Sequence, residues 1–453
     1  ALVWGVRRGP LQTKDGARGS AWWWMLGVPA AGLLVVAACL PPGAIWASEA
    51  HGYDTLSYHL QLPKEWVAQG RVWPVEHNVY SFLPSFMEAA FARLGAMTGI
   101  DAGAEAPLGA GAGTAVHAAQ VLHACFAVLA AWAVAGVVRQ VGGERADRFG
   151  AAVGGAILLG VPWVIVTGSM AYNEMAVCAM LAGAIGAAMH TGAKAWQRGA
   201  AVGVLIGAAC SLKPTALFLA MPVAALAMAA GVERRRWVGA FAAAGVAGVV
   251  MIAPWMVRNW MASGNPVFPS ASALFGLGHW TEAQHARWSA AHHPDLSATE
   301  RAARLVSERF GLLHAQWSVM AFFAGAAAIV CLAVRDVRSR TWPVVVGVVV
   351  QCLAWMWIGH LQSRFLVPTV VPMAILCGAA VGVVRARSVR LGTAVGVVAA
   401  LALSGDAIRL FLQENGGAPS RAMVAGVEVF NASGYASSGP PEMSRENYEF
   451  YLR

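Results

Sequence analysis

The chain has 453 residues, a length that in a soluble protein would make two or three domains. Its composition excludes that class. Hydrophobic residues make up 58%, charged residues 12%, and mean hydropathy is +0.57, whereas ordinary globular domains carry about 25% charge. Disorder is excluded too, because it needs low hydrophobicity and high charge. What remains is an all-α polytopic membrane protein, and the net charge of +9 has to be read from where the charges sit.

Residues 1–20 form a basic leading segment, followed by apolar stretches near the ~20 residues that span a bilayer as a helix. Eleven are predicted: 22–47, 116–138, 149–167, 174–190, 199–212, 215–231, 237–257, 317–334, 342–359, 365–384 and 389–409. The first ends at Ser48-Glu49-Ala50, which resembles a small-x-small cleavage site. Its apolar run is long for a signal sequence, so it is read as a retained span. Tryptophans cluster at span ends, among them Trp22, Trp46, Trp163, Trp237, Trp342 and Trp357, as interfacial anchors do.

The connections sort by charge. One alternating set holds 18 of the 32 Lys and Arg but only five of the 23 acids, a net +13. The other set is net −4. The positive-inside rule places the basic set, and with it the N-terminus, in the cytoplasm. The long loops 48–115 and 258–316 and the tail 410–453 then face the opposite side. The surplus positive charge is thus topological and gives no reason to expect nucleic acid. The organisation is a cytoplasmic segment 1–20, a membrane domain 21–409 carrying the outer loops, and a short extracytoplasmic tail 410–453.

Loop 48–115 carries local helix signals. Residues 54–62 suit a short helix, Pro63 suits the first position of another, and Gly70 suits its stop. Ser85 and Glu88 have capping-box spacing for a helix over 86–97, with Phe86, Ala90, Leu94 and Met97 on one face. Such helices lie along the membrane surface. Residues 101–115 are Gly/Ala-rich and read as a linker. In loop 258–316, Gly264-Asn265-Pro266-Val267-Phe268-Pro269 enforces a non-helical path before a polar helical stretch over 282–310.

All seven cysteines fall inside predicted spans and read as packing residues. Pairs such as His51/His59 and His292/His293 lack a supporting carboxylate at ligand spacing and read as exposed loop histidines. No GxGxxG, GKS/T, HExxH, GxSxG or DxD motif occurs, so neither a nucleotide site nor a DxD metal site is expected. A divalent metal is not indicated.

Ionisable residues at the edges of spans are costly and therefore candidates for function. Asp54 follows the first span and reads either as a helix N-cap or as a general base. Glu174 opens the fourth span, as an acid favoured by a helix N-terminus or as a second acid beside Asp54. Lys213 interrupts an apolar run, and Arg258 and Arg364 sit at span ends. Each could snorkel or anchor, but three outward cations run against the positive-inside trend and favour a shared anionic partner such as phosphate.

Taken in order, several pieces resemble the GT-C integral-membrane glycosyltransferases, in particular the protein O-mannosyltransferase and aminoarabinose-transferase-like group. These are Asp54 ahead of Tyr58-His59-Leu60 and Pro63-Lys64, Tyr172 to Glu174, Lys213, Pro254-Trp255 with Arg258-Asn259 and the Gly264–Pro269 run, and Arg364-Phe365-Leu366-Val367-Pro368. The resemblance covers roughly 22–385. It implies transfer of a sugar from a polyprenyl-phosphate donor to a lipid, glycan or protein acceptor on the outer face, by inverting single displacement. Asp54 would be the base and Glu174 the second-site acid. Lys213, Arg258, Asn259, Arg364, Tyr58 and His59 would bind substrate and phosphate. One departure is that mannosyltransferases of this group show paired acids in the first loop, where this chain has Tyr53-Asp54-Thr55. A secondary transporter would instead show inverted repeats and midplane charges, and no repeat is visible. A lipid-linked polysaccharide polymerase or ligase would place its key residues in a late loop.

Overall fold

The computed structural model describes residues 21–40, 42, 46, 49, 52–98, 110–142, 148–292 and 294–414. The leading segment 1–20, most of the 101–115 linker, the tail beyond 414, His51 and His293 lie outside them.

Among the described residues the architecture is helical, with one isolated bridge between Val75 and Asn78. A chain crossing hydrocarbon must satisfy every backbone group within itself, and helices do so. The helices are α1 (Val28–Ala38), α2 (Gln61–Gln69), α3 (Phe86–Thr98), α4 (Ala110–Val141), α5 (Arg148–Gly160), α6 (Pro162–Gly168), α7 (Glu174–Met189), α8 (Ala195–Leu212) and α9 (Ala216–Leu219). They continue as α10 (Met221–Gly231), α11 (Trp237–Ser263), α12 (Ser272–Phe275), α13 (Glu282–His292), α14 (Ala298–Leu305), α15 (Met320–Ala333), α16 (Arg335–Ile358), α17 (Val370–Arg387) and α18 (Val389–Glu414).

Among the described residues five helical stretches are long and apolar enough to cross a membrane: Thr114–Val141, Arg234–Ser263, Arg335–Ile358, Ser363–Arg387 and Val389–Glu414. The count is six if α5 and α6, bent by 62° at Val161, form one broken span. Pro162 at the first turn of α6 explains the break, because it disfavours helical geometry at Val161, which is extended. The protein is therefore an integral membrane protein. The other predicted spans fall on shorter helices (Trp22–Ala38, Glu174–Met189, Ala216–Gly231, Met320–Ala333) and on α8. Length and composition do not establish the full eleven crossings.

Buried residues concentrate in α5, α7 and α17, the centre of the bundle. By contrast α11 is peripheral and packs on α8. There Gly199, Gly203 and Gly207 lie against the backbone of Ala240, Ala244 and Gly248, where a Cβ would collide with carbonyl groups. This small-residue stripe lets two apolar helices approach without a hydrophobic driving force between them.

The first long loop is more ordered than its turn signals required. Thr55–His59 form a single π-helical turn, and α2 begins at Gln61, so Pro63 stands at the third position instead of the first. Its missing N–H still falls in the first turn, where no intrahelical partner exists. Gly70 ends α2 with φ 68°, as predicted. The expected capping box at α3 is absent. Ser85 Oγ donates to Leu83 O at 2.6 Å, and Glu88 turns inward with Met87, Phe91, Ala92 and Gly95. Phe86 and Met97, from the predicted apolar face, are exposed, on the side that the expected membrane surface would cover. Trp46 and Trp163 also depart from the interfacial role. Both are buried and donate to Ser169 and Ser363.

Candidate active site

Asp54 enters the site from the turn before the π-helical segment. It has helical backbone angles and makes no capping bond. Its carboxylate instead accepts from Nη2 of Arg364. The second nitrogen, Nη1, donates to Glu49 and to the Tyr172 hydroxyl, the latter at 3.2 Å. Tyr172 in turn donates to Glu49 at 3.1 Å. One guanidinium thus holds two carboxylates and a phenol, a use of the planar fork that a lysine could not reproduce. Glu49 was missed in the sequence, where it read as part of a cleavage-like tripeptide.

Arg364 is positioned by its neighbour. Ser363 is buried, accepts from the indoles of Trp163 (3.0 Å) and Trp317 (2.9 Å), and donates to Gly311 O at 3.1 Å. These bonds pin the 3-10 turn Ser363–Thr369 ahead of α17.

Glu174 begins α7 and is buried. One oxygen accepts from Lys213 Nζ at 2.5 Å and the other from the Asn173 backbone N–H at 3.3 Å. The helix-terminal reading and the charge-pair reading are therefore both realised. Lys213 is the C-cap of α8, and its ammonium also sits 4.7 Å from the Phe365 ring. The opposite face of this turn is fixed by His123, which bonds Met170 O at 2.8 Å and accepts from Met175 N at 2.9 Å.

His59 is not an exposed loop histidine. It is 2% exposed, and its Nδ1 lies 2.6 Å from Glu88 Oε1. Asn173 Nδ2 reaches the same oxygen at 3.4 Å and Leu212 O at 2.8 Å. Glu88 is a second residue missed in the sequence, hidden by the capping-box pattern. The visible signal was an acid on the same helical face as Met87, Phe91 and Ala92.

Arg258 and Asn259 take a different place. Arg258 Nη2 donates to Ser81 O at 2.8 Å and Leu83 O at 3.1 Å, and Asn259 Nδ2 donates to Phe82 O. Both are buried. They clamp the 81–83 segment of the first loop onto the end of α11, behind the wall of the cavity described next. The following Gly264–Pro269 run is non-helical as predicted, with a cis Phe268-Pro269 peptide.

A cavity of about 370 Å³ opens beside these groups. Lys213, Asn173, Glu88 and Tyr58 line it together with Tyr80, Trp288, His292, His360 and Phe365. Tyr58 and Tyr80 stack at 4.3 Å, Trp288 meets Tyr80 edge-on at 6.0 Å, and His292 lies 4.2 Å from His360. The structure thus brings Asp54, Glu174, Lys213, Arg364, Tyr58 and His59 into one neighbourhood and leaves Arg258 and Asn259 outside it. Burial pushes the Asp54 carboxyl above its ordinary value, opposed by the charges of His59 and Lys213 and reinforced by Glu174. Burial and the charge of Asp54 raise the phenols of Tyr58 and Tyr80, which stay neutral. Among the described residues no group of three or more His, Cys, Asp or Glu gathers as metal ligands would.

Several known structures share this arrangement of helices. ArnT from Cupriavidus metallidurans bound to undecaprenyl phosphate superposes with a TM-score of 0.55 at 13% identity, covering 95% of this chain and 76% of that one. The Archaeoglobus fulgidus oligosaccharyltransferase in the apo form gives 0.56 at 14% identity over 97% of this chain and 60% of that one. The same enzyme tethered to an acceptor peptide containing the NVT sequon gives 0.55 at 12% identity, over 87% and 55%. This chain thus spans about three-fifths of the oligosaccharyltransferase. The chain shares the fold of these two membrane enzymes, the fold that the sequence resemblance implied. Residues 175–371 match a family model described as a domain of unknown function (DUF8201). No curated protein matches the chain in sequence.

Proposed function

We propose that the protein is a membrane glycosyltransferase that moves a sugar from a polyprenyl-phosphate donor to an acceptor on the extracytoplasmic face. The observation that carries this reading is the gathering of Asp54, Glu174, Lys213 and Arg364 beside one cavity in a GT-C fold. A likeness of fold alone would not support it. The proposal includes the eleven crossings and the cytoplasmic N-terminus drawn from charge asymmetry, with 21–409 as the membrane domain.

In the proposed step Asp54 takes the proton of an acceptor hydroxyl, a weak nucleophile until deprotonated. The hydroxyl oxygen attacks the anomeric carbon as the bond to the carrier phosphate breaks, and the phosphate leaves with the electron pair. Lys213 stabilises that leaving charge in a poorly solvated site. Arg364 does so after exchanging a carboxylate partner for phosphate, and Glu174 holds Lys213 in position. Arg258 and Asn259 support the loop that forms the cavity wall. One displacement inverts the anomeric centre.

The test is transfer from undecaprenyl-phosphoryl sugars by the purified protein in nanodiscs, with product stereochemistry read by NMR. Inverted product, insensitive to EDTA, is expected. Retention of configuration, or sugar flux across liposomes without transfer, would overturn the reading.

A further inference from the structure

Two buried acceptors on residues that line the cavity have no protein partner: Glu88 Oε2 and Asn173 Oδ1. Glu88 is 3% exposed and Asn173 6% exposed, and both residues line the space. Their other atoms are engaged. Glu88 Oε1 faces His59 and Asn173 Nδ2, and Asn173 Nδ2 also holds Leu212 O. A carboxylate oxygen left without a donor in a buried setting is costly, and a pair of acceptors repels an anion. The complementary ligand at this end therefore brings donors. Lys213, in the same lining, carries a charge of the opposite sign and suits phosphate. The lining also holds aromatic rings: Tyr80 stacks on Tyr58 and meets the edge of Trp288 from α13. Such faces pack against the C–H surface of a sugar ring while its hydroxyls point elsewhere.

We propose that Glu88, held by His59, is the group that recognises the donor sugar. It accepts hydrogen bonds, with Asn173, from hydroxyls of a ring packed against Tyr80 and Trp288. This rests on the glycosyltransferase reading and adds the sugar subsite to it. In this arrangement the donor sits with its sugar at Glu88 and its phosphate at Lys213.

The experiment compares equilibrium binding of undecaprenyl phosphate with that of undecaprenyl-phosphoryl mannose, glucose, galactose and arabinose to the full chain in nanodiscs. At least one sugar-bearing carrier should bind about tenfold more tightly than the bare carrier, the scale of one or two hydrogen bonds to a charged group. Glu88→Gln keeps the volume and the His59 contact, and should erase that gain while leaving bare-carrier affinity within about twofold. Trp288→Ala, on a half-buried helix face away from the ion pairs, should reduce the gain in the same direction. The subsite is overturned if Glu88→Gln keeps the full gain, or if no sugar adds affinity in the unaltered protein although the bare carrier binds. Failure of any carrier to bind removes the underlying glycosyltransferase reading as well.

Discussion

Arg364 bonds Asp54 across 310 positions of the sequence, joining the turn before α17 to the first outer loop. The proposed base is thus held by the proposed phosphate ligand. A phosphate entering between them would take over part of the guanidinium and leave the carboxylate to the acceptor. Asp54→Asn keeps the hydrogen-bonding shape but not the basicity. Turnover should fall by about 10²–10⁴-fold, the range for loss of a general base. Undecaprenyl phosphate binding should persist. Near-normal turnover in this variant would remove Asp54 from the mechanism.

The same base sets a pH limb. A base works in its deprotonated form, so turnover falls as pH drops through its pKa. Burial raises that pKa above the ordinary aspartate value, so the acid limb should lie above pH 3.8, the unperturbed position. The kcat/KM profile of the purified protein reports it. A limb at or below the unperturbed position would mean that burial does not raise the carboxylate in the free enzyme.

Arg258 was paired with Arg364 in the sequence, since both are outward cations at span ends. The structure separates them. Arg258 Nη2 donates to Ser81 O and Leu83 O, whereas Arg364 donates to carboxylates. Arg258→Ala should therefore destabilise the protein by about 1–3 kcal/mol through unpaired buried carbonyls, seen as a lowered melting temperature. Carrier affinity should change less than in Arg364→Ala. The reverse ranking would restore Arg258 as a phosphate ligand.

Which parts were legible in the sequence follows from the range of each signal. Helices were legible because hydrophobicity acts locally, and each predicted span overlaps a helix, the first of them, 22–47, only as far as Ala38. Crossings were less so, because a 16-residue α7 and a 62° bend at Val161 depend on packing. Asp54, Glu174, Lys213 and Arg364 stood out because charge at a span edge is costly wherever it folds. Their pairing was not visible, since Lys213 and Glu174 are 39 positions apart. Glu49 and Glu88 were concealed by short local patterns that fit other roles. Trp288 lay in a polar stretch that gave no reason to place it against Tyr80.

Lys213 and Glu174 form a nearly buried ion pair, with side chains 15% and 3% exposed. Removing one partner of such a pair strands the other charge and costs about 3–5 kcal/mol, whereas removing both costs much less. Lys213→Met and Glu174→Gln should each lower stability on that scale, and the double variant should recover a large part of the loss. Activity should not recover with it, because Lys213 is assigned to the leaving phosphate. A denaturation series on the two single variants and the double, run alongside transfer assays, separates the two effects. Recovery of turnover together with stability would show that Lys213 only supports Glu174. Stability without turnover is the expected result and keeps the ammonium in the chemistry.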